Sequence, residues 1–167
     1  PAERIRRIGD AEQPLLGGIV GPFEAWLIGR GLRTLPLRLR QHQESAGRVA
    51  AFLAGHPRVA RVHYPGHPSH PQHDLARRQM RGASGLLSFE LDTRDLRLVS
   101  RFVESLRLFR LGVSWGGYES LVWLPVIGAM HRAPEEQWPN PGLVRIHVGL
   151  EDVDDLLEDI DRALRAL

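Results

Sequence analysis

The sequence predicts an α/β or α+β fold in which roughly four strands form a sheet covered by several helices. Segments whose apolar residues recur every three or four positions alternate with short segments in which every second residue is apolar. A chain of 167 residues with 43% apolar and 25% charged residues suits one globular domain with a short addition. Alternating helices and strands are typical of a sheet with helices packed against it.

Five segments have the apolar spacing of helices. The longest begins at Leu35, with Pro36 in its first turn, and ends at Ala54, which is followed by Gly55. A shorter helix begins at Pro22 and is expected to end at the glycines 29 and 31. The other three predicted helices are 70–81, 94–106 and 151–167.

Four segments have the alternation of strands. In 86–91, Leu87, Phe89 and Leu91 fall on one face of the strand. The other predicted strands are 58–64, 108–113 and 143–150. The apolar stretch 120–127 is interrupted by Pro125, segment 129–142 holds three prolines and is predicted to be a loop, and 1–21 is predicted to be irregular.

Composition excludes several kinds of site. The chain has no cysteine, which excludes disulfides, thiolate metal ligands and a cysteine nucleophile. All 22 basic residues are arginines, dispersed among 20 acidic residues, so we expect no nucleic-acid surface. The chain has no lysine, so it cannot form an internal Schiff base.

No apolar run has membrane-spanning length and no signal peptide is visible, so we expect no membrane partner and a cytoplasmic location.

Arg145 is a candidate ligand-binding residue because of its place in the strand "LVRIHVGL". Val144, Ile146 and Val148 fall on one face of this strand, and Arg145 falls on the other with His147. An arginine in so apolar a strand must bind an anion or reach water, and its planar guanidinium can hold a carboxylate at two points. The alternative is that Arg145 reaches an edge or pairs with a structural acid.

The stretch "GVSWGGYESL" (112–121) is a candidate binding turn. Ser114 and Trp115 stand directly before the Gly116-Gly117 pair. The stretch either presents Ser114 and Trp115 to a ligand, or merely turns the chain and places Trp115 in the core. No spacing ties a histidine to Ser114 as in a catalytic triad.

Two conspicuous clusters are expected to be structural. Four histidines between residues 63 and 73 are interleaved with three prolines, so no regular element sets a metal-binding geometry, and we predict no metal site. The acidic residues between 151 and 161 lack the glycine and the ligand spacing of a calcium loop. We expect them to form the solvated face of a helix whose first turn is acidic.

Four segments, taken in order, resemble one known family. They are "GPFEAWLIGRGLRTLPLRLRQH" (21–42), "VHYPGHPSHPQHDLARRQMRGASGLLSFEL" (62–91), "SWGGYESL" (114–121) and "LVRIHVGLEDVDDLLEDI" (143–160). Together they are similar to the linking segment and C-terminal part of the trans-sulfuration (Cys/Met metabolism) family of pyridoxal-phosphate-dependent enzymes. The resemblance covers roughly residues 16–167. It implies the C-terminal α/β domain of a fold-type I enzyme, preceded by a linking helix.

The resemblance implies roles for the candidate residues. Arg145 would bind the α-carboxylate of an amino-acid substrate, Ser114 would help to hold that carboxylate, and Trp115 would line the pocket. Tyr118 and Glu119 would fix the turn. Trp115 and the "HVGLEDVDDL" ending are most similar to bacterial cystathionine β-lyases, because the γ-synthases and γ-lyases usually have leucine after the motif serine.

The family's Schiff-base lysine and phosphate-binding residues lie upstream of the matched region. The resemblance therefore implies that 1–34 is the tail of a cofactor domain and the start of a linker, and that 35–167 is the C-terminal domain. The complete enzyme would be a homotetramer of methionine biosynthesis that uses pyridoxal 5'-phosphate, bound mainly by the upstream domain, to convert L-cystathionine to homocysteine, pyruvate and ammonia. This chain would be inactive alone and would contribute no catalytic residue. The alternatives are part of a cystathionine γ-synthase or γ-lyase, and a non-catalytic module for amino-acid binding or oligomerisation.

Overall fold

The computed structural model describes residues 2–12 and 19–167, and the chain divides into two compact units, Pro1–Pro36 and Leu37–Leu167. Within the described ranges, no helix is long and apolar enough to cross a membrane. The domain boundary expected after residue 34 stays a prediction.

The described chain contains helices, strands and two short irregular helical segments. The α-helices are α1 (Ala2–Arg7), α2 (Pro22–Leu32), α3 (Leu35–Ala54), α4 (His73–Gln79), α5 (Leu96–Ser105), α6 (Pro125–Met130) and α7 (Val153–Arg165). The strands are β1 (Val59–His63), β2 (Leu86–Leu91), β3 (Arg110–Leu111), β4 (Leu121–Trp123) and β5 (Leu143–His147). A π-helical segment (Ile8–Glu12) follows α1, and a 3₁₀ turn (Glu135–Gln137) follows α6.

The strands form one mixed sheet with the order β1-β2-β5-β4-β3. Neighbouring strands are antiparallel except β3 and β4, which are parallel. The mixed α and β fold class is therefore confirmed, with five strands instead of roughly four. The additional strand is β4, which lies in the apolar stretch before Pro125. Pro125 ends the strand region by opening α6, where its missing amide hydrogen is not needed.

The core lies between the sheet and the amphipathic helices. Leu87, Phe89 and Leu91 of β2 are 2%, 0% and 2% exposed, which confirms the predicted strand face. The Phe89 ring meets the Phe102 ring of α5 edge to face, with centroids 5.9 Å apart. The last helix, α7, contributes Leu156 to the same core and packs against α5.

Several predicted boundaries differ from the structure. Residues 2–12 are helical, so the irregular segment expected there is wrong, while 13–18 lie outside the described residues. Helix α2 runs through Gly29 and Gly31 to Leu32, because a single glycine lowers helix stability without ending the helix. The predicted helix 70–81 is limited to His73–Gln79, since the prolines before it favour turns. Segment 129–142 begins inside α6, which ends at Met130.

Helix α3 is buried along only part of its length. Leu39 shares the apolar spacing of His42 and Ala46, yet it is 46% exposed. The buried side begins at His42 and continues through Ala46, Val49 and Leu53. A periodic apolar pattern predicts which side of a helix can be buried, but the length of the covered part depends on the neighbouring elements.

Candidate functional site

Arg145 lies on the central strand of the sheet. It stands opposite Ser88 of β2 and Trp123 of β4 in the strand register. Its neighbours Val144 and Ile146 are 0% and 1% exposed on the opposite face, so the arginine side chain is directed away from that core. The strand pairing on both sides holds the Arg145 backbone in place.

The guanidinium of Arg145 reaches the candidate turn. Its Nη2 donates to the Val113 carbonyl oxygen at 2.6 Å and approaches the Ser114 carbonyl oxygen at 3.5 Å. The residue is half-buried, and it makes no ion pair with any residue that the structure describes. The pairing with a structural acid that was left open is therefore absent from the described chain. The remaining guanidinium hydrogens can serve an anionic ligand.

The turn presents its two conspicuous side chains to the outside. Trp115 is 61% exposed, so the alternative that it belongs to the core is wrong for this chain. Ser114 is also exposed. Gly116 has a φ of +83°, a conformation that side-chain-bearing residues rarely adopt, and this lets the chain reverse directly after Trp115. The structure thus brings Ser114, Trp115 and Arg145 to one place.

The far end of the turn is held by Ser120 and Glu151. The Ser120 amide donates to Glu151 Oε1 at 2.7 Å, and the Ser120 hydroxyl donates to Glu151 Oε2 at 2.8 Å. The same hydroxyl oxygen accepts the Gly149 amide at 2.8 Å, and the Leu150 amide donates to the Tyr118 carbonyl oxygen at 2.8 Å. These bonds connect the turn to the segment that directly follows β5.

Gly149 is required by this close approach. A Cβ atom at Gly149 would lie 2.3 Å from the Tyr118 carbonyl oxygen, which no packed structure tolerates. The Tyr118 carbonyl oxygen holds the turn by accepting the Leu150 amide, whereas the Tyr118 side chain is 76% exposed, so the expected role of this side chain stays a prediction. The expected contribution of Glu119 stays a prediction.

The acidic run after β5 is less uniformly solvated than expected. Asp159 is 5% exposed, and its carboxylate accepts the backbone amides of Arg107 and Leu108 at 3.0 and 2.8 Å. It also forms an ion pair with Arg162. Asp152 caps α7 by accepting the Asp154 amide at 2.8 Å. Within this run, Asp152 caps the helix and Glu151 binds Ser120 at the end of the turn. Asp159 is buried and binds the loop that follows α5.

The histidines between 63 and 73 are used separately in the fold. His63 Nε2 and Glu90 Oε1 are 2.6 Å apart across β1 and β2, and this hydrogen bond lowers the pKa of Glu90. His73 Nδ1 donates to the Pro65 carbonyl oxygen at 2.9 Å. Among the residues described, no group of three or more histidine, aspartate or glutamate side chains could hold a metal ion.

A separate cleft of about 540 Å³ lies among α3, α4 and the loop after β1. Its lining includes Gln43, Tyr64, His73 and Arg77. It contains none of the three predicted site residues, so it is not the site formed by Arg145 and the turn.

Sequence comparison relates the chain to known proteins. The family described as Cys/Met metabolism PLP-dependent enzyme matches residues 4–165. Cystathionine gamma-lyase of Mus musculus is 47% identical over 158 residues, which are 92% of this chain and 39% of that protein. Cystathionine beta-lyase of Lactococcus lactis subsp. cremoris (strain MG1363) is 42% identical over 156 residues, 91% of this chain and 40% of that protein.

A third relative is named for a different activity. Cystathionine gamma-synthase 1, chloroplastic, of Arabidopsis thaliana is 44% identical over 157 residues, which are 92% of this chain and 28% of that protein. The chain thus spans well under half the length of the curated relatives that it matches.

Proposed function

Because the chain belongs to the family of Cys/Met metabolism PLP-dependent enzymes, we propose that it supplies the substrate-carboxylate site of a pyridoxal-phosphate-dependent carbon–sulfur lyase. The observation that carries the proposal is the free part of the Arg145 guanidinium beside the exposed Ser114 and Trp115. A planar guanidinium can hold a carboxylate through two parallel hydrogen bonds.

In this proposal the residues of the chain position the substrate. Arg145 binds the α-carboxylate, and the carbonyls of residues 113 and 114 hold the guanidinium so that its open side faces the ligand. The Ser114 hydroxyl donates to the same carboxylate. Trp115 covers the apolar part of the substrate and excludes water from it. Fixing the carboxylate sets the direction of the bonds at Cα, which decides which bond reacts.

The residues present do not fit covalent attachment of the cofactor, because the sequence contains no lysine. Pyridoxal phosphate, when bound, accepts the electrons that are released when a bond at Cα breaks. We propose that an upstream domain of a longer chain binds the cofactor and that the complete enzyme is a homotetramer. The part described here would then have no lyase activity by itself.

For the reaction, we propose β-elimination of L-cystathionine to homocysteine, pyruvate and ammonia. Trp115 supports this choice, because γ-synthases and γ-lyases usually have leucine after the motif serine. The second candidate is γ-elimination, which is favoured by the 47% identity to a γ-lyase against 42% to a β-lyase. The keto acid formed from cystathionine by the full-length protein separates the two. Pyruvate as the main product supports β-elimination, and 2-oxobutyrate contradicts it.

Arg145→Ala in the full-length enzyme tests the carboxylate site. Loss of a buried arginine–carboxylate contact costs roughly 2–5 kcal/mol, so kcat/KM should fall by at least about thirtyfold. Absorbance of the bound cofactor should stay unchanged. Arg97→Ala, which removes an exposed arginine on α5, is the matched control and should leave the kinetics unchanged. Wild-type kinetics for Arg145→Ala would remove this residue from the site.

A further inference from the structure

Two buried imidazoles lie behind the 112–121 turn. His147 and His42 are each 2% exposed, and their ring centroids are 5.0 Å apart. His42 Nδ1 donates to the Val148 carbonyl oxygen at 2.8 Å, and the Gly116 amide donates to His147 Nε2 at 3.1 Å. Within residues 2–12 and 19–167, the second nitrogen of each ring, His42 Nε2 and His147 Nδ1, is buried without a hydrogen-bond partner.

Each ring makes one backbone hydrogen bond that requires a particular tautomer. The Val148 carbonyl can only accept, so His42 carries its hydrogen on Nδ1 and leaves Nε2 as a bare acceptor. The Gly116 amide can only donate, so its bond to His147 Nε2 requires the hydrogen of His147 to lie on Nδ1. In that tautomer the Nδ1 hydrogen of His147 and the Nε2 atom of His42 are both buried without a hydrogen-bond partner among the described residues.

The other tautomer of His147 bonds a different backbone group of the turn. Its Nε2 would donate to the Gly117 carbonyl oxygen, 3.2 Å away. The Gly116 amide would then lose its acceptor. The other nitrogens of the two rings, His147 Nδ1 and His42 Nε2, would carry no hydrogen and have no partner. Each tautomer therefore bonds one backbone group of the turn, and only the tautomer with its hydrogen on Nδ1 accepts the Gly116 amide.

The surroundings of His147 keep its ring neutral. Burial lowers the pKa of His147, and so does the neighbouring His42, whereas the Gly117 carbonyl, Glu119 and Glu151 act in the opposite direction. Burial is the largest of these influences. Only a neutral ring with its hydrogen on Nδ1 has the lone pair on Nε2 that the Gly116 amide requires.

The His147 ring also packs against Gly85, where the absence of a side chain leaves room for it. A Cβ atom at Gly85 would lie 3.0 Å from His147 Cε1 and 3.1 Å from Nδ1. Gly85 also accepts the Val148 amide through its carbonyl oxygen at 2.8 Å. The ring is therefore enclosed by backbone on one side and by His42 on the other, which limits its rotation.

We propose that His147, supported by His42, is a positioning residue that orients the Ser114–Trp115 turn toward Arg145. His147 does this through the Gly116 amide, which directly follows Trp115. The inference rests on the proposed function of that turn. His147 acts on the turn backbone and touches no reacting atom.

The first test measures the tautomers in the full-length, histidine-labelled holoenzyme by long-range ¹H–¹⁵N correlation. We expect hydrogen on Nδ1 and a bare Nε2 in both His147 and His42. Variants of each residue assign the signals, because each removes one ring from the spectrum. A hydrogen on Nε2 of His147 would overturn the proposal, whatever the activity of the enzyme.

The second test compares two amides that mimic different ring nitrogens. His147→Gln can place an amide oxygen where Nε2 accepts the Gly116 amide, whereas His147→Asn reaches only the Nδ1 position. We expect His147→Asn to raise KM about tenfold with a smaller change in kcat, and His147→Gln to recover most of the loss. The Gly116 amide resonance should move in His147→Asn and return toward wild type in His147→Gln.

The matched control is His131→Gln, which changes an exposed histidine at the end of α6. Equal KM values for His147→Asn and His147→Gln would contradict the proposal, as would an unmoved Gly116 resonance. If His147→Asn does not fold, the wild-type tautomers decide. Failure of the proposed function can be distinguished from failure of this inference. The first would appear as unchanged kinetics in Arg145→Ala. The tautomers and the Gly116 resonance test the role of His147 independently of those kinetics.

Discussion

At the residue scale, the candidate site depends on backbone atoms that hold side chains in place. Arg145 is directed by two carbonyl oxygens of the turn, and Ser120 is directed by both oxygens of Glu151. The Arg145 guanidinium keeps further hydrogens for a ligand, whereas the buried Ser120 hydroxyl is fully used within the fold, because it also accepts the Gly149 amide. This arrangement restricts the site before any ligand arrives, so less order must be gained on binding.

Burial of the Tyr64 hydroxyl can be tested through the pH dependence of the free energy of unfolding. This hydroxyl donates to the Ser84 carbonyl oxygen at 3.0 Å, and burial raises the pKa of Tyr64 to about 12. Above pH 10 the unfolded tyrosine ionises while the folded one stays neutral. The free energy of unfolding should therefore fall between pH 10 and about pH 12.

Urea unfolding at a series of pH values measures this effect. Tyr64→Phe should lose the part of the decline that comes from this hydroxyl, although it is less stable at neutral pH. Tyr118→Phe is the control, because Tyr118 is 76% exposed, and it should keep the wild-type profile. An identical alkaline decline in wild type and Tyr64→Phe would show that burial of this hydroxyl is not the cause.

At the element scale, helix α7 both covers the core and anchors a loop. Its apolar side contributes Leu156, Ile160 and Leu164, as its periodicity predicts. The buried Asp159 on the same helix accepts the amides of Arg107 and Leu108, which directly follow the end of α5. The helix therefore holds the chain between α5 and β3, two elements that precede the candidate turn.

Asp159→Ala tests this anchor. It leaves two backbone amides without an acceptor and removes the partner of Arg162, so the free energy of unfolding should fall by about 2–4 kcal/mol. Chemical denaturation measures the change. Glu158→Ala, an exposed neighbour on the same helix, should change stability by less than about 0.5 kcal/mol. Equal effects of the two substitutions would show that the buried contacts of Asp159 add no stability.

At the scale of the whole molecule, the sheet and helices of the Leu37–Leu167 unit share one core. Phe89 is 0% exposed on β2 and meets Phe102 of α5, so it connects the sheet with the helical layer. The site residue Arg145 stands on β5, the strand that pairs with β2. The same sheet therefore carries the core on one face and the candidate site on the other.

Phe89→Ala should reduce the free energy of unfolding by about 3–5 kcal/mol, because it removes a large buried side chain and leaves a cavity. Phe89→Leu is the control and should cost less than Phe89→Ala, because it keeps most of the apolar volume. Calorimetry of both variants checks the order. A smaller cost for alanine than for leucine would contradict a core centred on this ring.

Local sequence patterns were sufficient to predict those parts of the molecule whose structure depends on residues close together in the chain. The buried faces of β2, α5 and α7 follow from periodicity, since three or four residues cover a helix turn and two cover a strand repeat. The place of Arg145 in an apolar strand and the glycine turn after Trp115 were visible for the same reason. The short strand β4 was missed because three residues are too few to show alternation.

Contacts between distant parts of the chain could not be predicted in this way. His42 and Val148 are 106 positions apart, Glu151 and Ser120 are 31 apart, and Asp159 and Leu108 are 51 apart. No periodic pattern in the sequence predicts which of the many acidic residues or histidines become buried. The only signal for His147 was its place in an apolar strand, on the same face as Arg145.

The sequence by itself determined the mixed α and β fold class, the faces of the main helices and strands, and the two segments that form the candidate site. Tertiary structure alone decided that the guanidinium of Arg145 meets the turn, that Trp115 lies outside the core, and that the buried His147 ring, packed beside His42, reaches the backbone of the turn. The physical reason is that periodicity follows from local backbone geometry, whereas burial and hydrogen-bond partners depend on which distant segments pack together.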